Sequence, residues 1–91
     1  MVEQLKKVIN IIEDELNSEN SIWDKKQLIT VVKPEMEEIY NHFKNGRAFF
    51  KYGKKQRMLE STYIMTDSIR NLSNTSLGKE IIKLQEKYNK L

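Results

Sequence analysis

Apolar residues along this chain recur at intervals of three and four, and no stretch carries the alternation of a strand. Val2, Leu5, Val8, Ile9, Ile12 and Leu16 place one stripe on a helix over about Val2 to Asn17. Asn17-Ser18-Glu19-Asn20 is a polar breaker, and Ser21 with Asp24 offers a cap and box for a second helix. The stripe Ile22, Ile29, Val32, Met36, Ile39, Phe43 keeps its phase across Pro34. It predicts one long helix, about Ile22 to Lys44, kinked at Pro34. The alternative is that Pro34 stands in the first turn of a separate helix, where its missing N–H costs nothing. Asn45-Gly46 ends this element, with Gly46 in the left-handed position past the C-terminus.

A third helix is expected over about Gln56 to Leu72, on the stripe Met58, Thr62, Met65, Ile69, Leu72 with Leu59 and Tyr63 alongside. Ser61 and Ser68 are small enough there for a neighbouring helix to approach closely. Ser73-Asn74-Thr75-Ser76 is rich in capping side chains. Leu77, Ile81, Leu84, Tyr88 and Leu91 then mark a last helix, with Gly78 blurring its start. Four amphipathic helices joined by short turns predict an all-α fold, an antiparallel four-helix bundle with a Pro-kinked second helix. Residues 1–91 form a single helical-bundle domain, long enough for one core. The Leu77–Leu91 stripe would otherwise serve as a short coiled-coil seam, so the chain is expected as a monomer or a homodimer.

Charge changes this picture in one place. Net charge is +3, but residues 1–44 carry six Lys/Arg against nine Asp/Glu, and residues 58–91 carry five against four. The excess lies in residues 45–57, NGRAFFKYGKKQR, with five cations and no acid. Arg47, Lys51, Lys54, Lys55 and Arg57 are interleaved there with Phe49, Phe50 and Tyr52. These eight residues are the candidate partner-binding set. Cations would steer a partner and make affinity salt-sensitive, and any exposed aromatic would anchor it. Phosphates attract the same cations and unpaired bases stack on the same rings, so nucleic acid is the competing partner. The structural alternative puts Phe49 and Phe50 in the core with a solvated cationic rim.

The remaining chemistry is sparse. The chain has no cysteine, which removes disulfides, thiolate metal sites and cysteine nucleophiles together. Glu13-Asp14-Glu15 and Glu35, Glu37, Glu38 point around a helix rather than at one metal, and the latter suit the helix half after Pro34 as dipole-favoured charges. Glu38 and His42 stand at helical spacing but supply only two ligands, so no metal and no cofactor is expected. Ser61, Thr62, Thr66 and Ser68 offer hydroxyls without a base beside them, so no enzyme is expected. His42, the only histidine, lies in Asn41-His42-Phe43-Lys44-Asn45-Gly46. A lone helical histidine near Lys and Gly resembles histidine phosphotransfer domains, although Lys44 stands two residues after His42 and Asn45 intervenes before Gly46. The opening MVEQLKKVIN builds no hydrophobic targeting segment, and no run is long enough to span a membrane, so a cytoplasmic location is expected.

Two regions, QLKKVINIIEDEL followed by a long second helix and the closing IRNLSNTSLGKEIIKLQEKY, resemble bacteriocin immunity proteins of the enterocin A type. The resemblance is one of apolar spacing and turn residues. It implies a cytoplasmic antiparallel four-helix bundle that recognises a protein partner, with the last helix and its flanking turn taking part. No individual residue carries over. The expected function is therefore a small non-enzymatic binding protein, an adaptor, inhibitor or immunity-type protein that masks a protein partner. A nucleic-acid-binding regulator comes second and a phosphotransfer module through His42 third.

Overall fold

The computed structural model describes residues 1–46, 58–66 and 71–90. Every regular element among them is helical, and none of them is a strand. Helix α1 spans Val2–Asn17, with Leu5, Val8 and Ile12 buried along the expected stripe. It stops where Ser18 turns extended (φ −87°, ψ 132°) and its hydroxyl accepts the Asn20 N–H at 3.2 Å.

The expected Ser21–Asp24 box is divided between two motifs. Ser21 Oγ accepts the Trp23 N–H at 3.2 Å and donates to the Glu15 carboxylate, tying the turn back to α1. Asp24 is the N-cap, accepting the Gln27 N–H at 3.1 Å. Helical backbone therefore begins at Lys25 and not at Ile22. It runs as α2 (Lys25–Gln27), a π-helical segment (Leu28–Val32) and α3 (Lys33–Lys44) without a break at Pro34. The ring of Pro34 presses on the carbonyl four residues back and offers no N–H to it. A wide turn ahead of the proline relieves that clash: the Lys33 N–H reaches back five residues to the Leu28 carbonyl.

The π turn also corrects the predicted stripe. Each residue in it advances by less than the 100° or so of an α-helix, so Ile29, three residues before Val32, lies further from the direction of Val32 than the roughly 60° of an α-helix, while Leu28, four residues before it, stays on the inner face. Ile29 is 57% exposed and Ile22 46%, while Leu28 and Trp23 take the buried places. Val32, Met36 and Ile39 stay on the inner face as expected. The helix ends at Asn45, and Gly46 adopts φ +73° with its N–H on the Phe43 carbonyl at 3.0 Å.

Helix α4 covers Glu60–Thr66, starting later than the predicted Gln56, and Leu72 belongs to a separate 3-10 turn, Leu72–Asn74. Asn71 enters that turn in the left-handed region, φ +58°. Helix α5 spans Ser76–Asn89. Its cap is Thr75, whose hydroxyl accepts the Gly78 N–H at 3.0 Å and the Trp23 indole N–H at 3.1 Å while donating to the Leu72 carbonyl at 2.6 Å. Gly78 is needed at this crossing. A Cβ there would overlap the Leu72 carbonyl oxygen and sit 2.9 Å from the carbonyl carbon, both backbone atoms.

Helix α1 packs on α3 and α5, and α4 packs on α5, the π segment and the 3-10 turn. Leu77, Ile81, Leu84 and Tyr88 are at most 1% exposed and share one core cluster with Leu5, Val8, Ile12, Leu28, Val32, Met36 and Ile39. The last stripe is thus filled from within the chain instead of forming an exposed seam. Burying each such side chain contributes about 1.5–3 kcal/mol. No helix among the described residues is long and apolar enough to cross a membrane.

Candidate interaction surface

The eight predicted contact residues, Arg47, Phe49, Phe50, Lys51, Tyr52, Lys54, Lys55 and Arg57, lie outside the described residues. The chain on either side of them is described, and it is firmly held. On the entry side the Asn45 N–H bonds the Asn41 carbonyl at 3.2 Å and Gly46 closes α3. On the exit side three successive backbone N–H groups are met by side chains of other helices. Leu59 donates to Gln85 Oε1 at 2.9 Å, a buried bond. Glu60 and Ser61 donate to the two carboxylate oxygens of Glu35, each at 2.8 Å, and the Ser61 hydroxyl adds a third bond at 2.6 Å.

A helix leaves its first N–H groups without internal partners, and an acceptor is normally supplied by the residue just before it. Here a carboxylate on α3 and an amide on α5 do that work for α4. Gln85 Oε1 also accepts the buried Thr62 hydroxyl at 2.8 Å, and its Nε2 donates to Asn89 at 2.8 Å. Glu35 stands inside a continuous helical run that begins at Lys25, so it does not face a free helix N-terminus, and its carboxylate serves α4 instead. Ser61, expected from its size only to let a neighbouring helix approach, is fully buried at this junction.

Two further charged groups bind elements together. Lys33 pairs with Glu13 at 2.6 Å, linking α3 to α1. The hydrogen bond and charge of Glu13 hold the Lys33 ammonium above its ordinary range. Glu80, with its side chain 10% exposed, takes Lys7 at 3.2 Å and Lys83 at 3.6 Å on one oxygen and the Gln4 amide at 3.1 Å on the other. Burial alone pushes this carboxyl up, but Lys7 and Lys83 outweigh it and hold the group below the ordinary carboxylate value.

His42 is half-buried in the last turn of α3. Among the described residues no three His, Asp or Glu side chains stand together as a metal set. The described residues line surface clefts as well. One, of about 360 Å³ between α1 and α3, is lined by Lys6, Ile9, Asn10, Glu37, Tyr40 and Asn41, with the Lys44 ammonium 5.9 Å from the centre of the Tyr40 ring. Another, of about 410 Å³ between α1 and α5, has Ile11 and Ile82 among Lys7, Lys79 and Lys83. No family of known proteins, no curated protein and no solved structure matches the chain.

Proposed function

We propose that the protein is a small non-enzymatic binding protein, of the adaptor, inhibitor or immunity type, that masks a protein partner through residues 45–57. The observation that carries this reading is the anchoring on both sides of that segment. Gly46 ends α3 with a left-handed turn, and Glu35 and Gln85 pin Leu59, Glu60 and Ser61 from two other helices. Binding segments are usually carried between fixed ends of a scaffold such as these. Arg47, Lys51, Lys54, Lys55 and Arg57 supply the steering charge, and Phe49, Phe50 or Tyr52 the anchor. The partner carries a complementary acidic patch.

The scaffold in this reading is an antiparallel four-helix bundle, its second helix bent where the π segment meets Pro34, and the protein works in the cytoplasm. The immunity-type role rests on the resemblance of the first and last helices to the enterocin A group. Nucleic acid is the second reading, favoured by the aromatic residues set among the cations.

Affinity capture with the wild-type chain and with the Lys54→Glu/Lys55→Glu variant separates the readings. A protein retained by the first and lost by the second supports masking. Fluorescence anisotropy with labelled single- and double-stranded oligonucleotides is the counter-test. Micromolar binding that persists near physiological salt, with a steep salt slope, would replace the protein partner by phosphates.

A further inference from the structure

The α1–α5 cleft is built from residues apart from the 45–57 segment, and it has a chemistry of its own. Its floor is aliphatic: Ile82 is 37% exposed on α5, and Ile11 of α1 packs against the core from the other wall. Its rim is cationic. Lys7 and Lys83 converge on a single oxygen of Glu80, at 3.2 and 3.6 Å, while each keeps 62% of its side chain exposed. One carboxylate thus fixes two ammonium groups and neutralises the charge of one. Lys79 completes the rim, exposed and without an acidic partner among the described residues.

From this arrangement we infer that the α1–α5 cleft docks an acidic protein segment that inserts an apolar side chain between Ile11 and Ile82. Charge complementarity chooses the occupant. The lining holds three lysines against one carboxylate, so an incoming Asp or Glu meets excess positive charge. The aliphatic floor accepts a Leu, Ile or Val side chain and expels water from it. A nucleic acid fits poorly, because no aromatic ring among the described residues lines the cleft for a base to stack on and the Glu80 carboxylate is part of its lining. A concave surface also suits an inserted side chain better than a flat lipid headgroup layer.

The test is a displayed library of 16-residue peptides selected against the full chain. The enriched pool carries Asp or Glu flanking an aliphatic residue. Its binding falls at least tenfold for Lys79→Glu/Lys83→Glu and for Ile82→Asp. These are exposed positions, and circular dichroism checks that each variant stays folded. Failure to enrich any peptide, a pool without the acidic-aliphatic signature, or binding unchanged in both variants would overturn the inference. So would phosphatidylglycerol vesicles or a 20-nucleotide strand whose binding alone is lost in Lys79→Glu/Lys83→Glu. Neither variant touches residues 45–57, so this surface and the one proposed above stand or fall separately.

Discussion

Single side chains at the Trp23–Thr75–Gly78 crossing each serve more than one element. The Thr75 hydroxyl caps α5, holds the Leu72 carbonyl and accepts the indole N–H of Trp23, which is 3% exposed. Thr75→Ala should cost about 1–2 kcal/mol, as the loss of a cap does, and it leaves a buried indole N–H without its acceptor. Thr75→Ser keeps the hydroxyl and should recover most of the loss. Trp23 is the only tryptophan, so urea unfolding followed by its fluorescence reads both variants directly. Gly78 and Gly46 differ in kind. Gly78→Ala drives a methyl group into the Leu72 backbone and should cost about 1–3 kcal/mol by overpacking. Gly46 has open space around it but a φ of +73°, so Gly46→Ala should cost about 1 kcal/mol from backbone strain alone.

Among the elements, the π segment and α4 are the ones that depend on their neighbours. Leu28 is fully buried, so Leu28→Ala opens a core cavity and costs about 2–5 kcal/mol. Ile29→Ala, one residue on, should stay within about 0.5 kcal/mol of wild type. A thermal-unfolding comparison of the two variants decides the phase, and equal losses would mean that Ile29 faces inward. Seven residues of helix α4 are described, from Glu60 onward. Its start is tied to Glu35 and Gln85. Glu35→Ala should speed amide hydrogen exchange at Glu60, Ser61 and through α4 well before it affects α1, at a global cost of about 1–2 kcal/mol.

Over the whole molecule, ion pairs join distant parts of the chain and give stability its pH dependence. The Glu80 carboxyl is lowered in the folded state, so its contribution is present above the ordinary value of 4.5 and is lost as pH falls through the lowered value. Because Lys7 and Lys83 are well exposed, Glu80→Gln should cost only about 1 kcal/mol at neutral pH. The gap between wild type and variant should close on acidification below pH 4.5. Lys33 is raised, so the opposite sign applies. Its contribution is complete below 10.5 and is lost as pH rises through the raised value. Chemical denaturation of wild type and Lys33→Met across the alkaline range should show the difference shrinking there.

Periodicity alone determined that this chain is helical, where α1 begins and ends, and which faces of α1 and α5 are buried. Leu5, Val8, Ile12, Leu77, Ile81, Leu84 and Tyr88 follow a local rule, the angle between successive residues on a helix, and a sequence carries local rules openly. Gly46 was readable for the same reason, and Thr75 as one of four capping residues in a row, since each satisfies backbone groups within a few residues of itself. The basic run at 45–57 was equally visible as composition, although its residues fall outside those described. Tertiary structure decided the rest. Leu28 stands four residues before Val32 and eight before Met36, so its place on the stripe was legible in the spacing; the wider turn ahead of Pro34, which carries Ile29 further outward, was not. The late start of α4 at Glu60 comes from Glu35 and Gln85, acceptors more than twenty residues away in the chain. Glu80 gathers Gln4 and Lys7 across most of the chain's length. Such groups meet only once the helices pack, so their chemistry is a property of the fold.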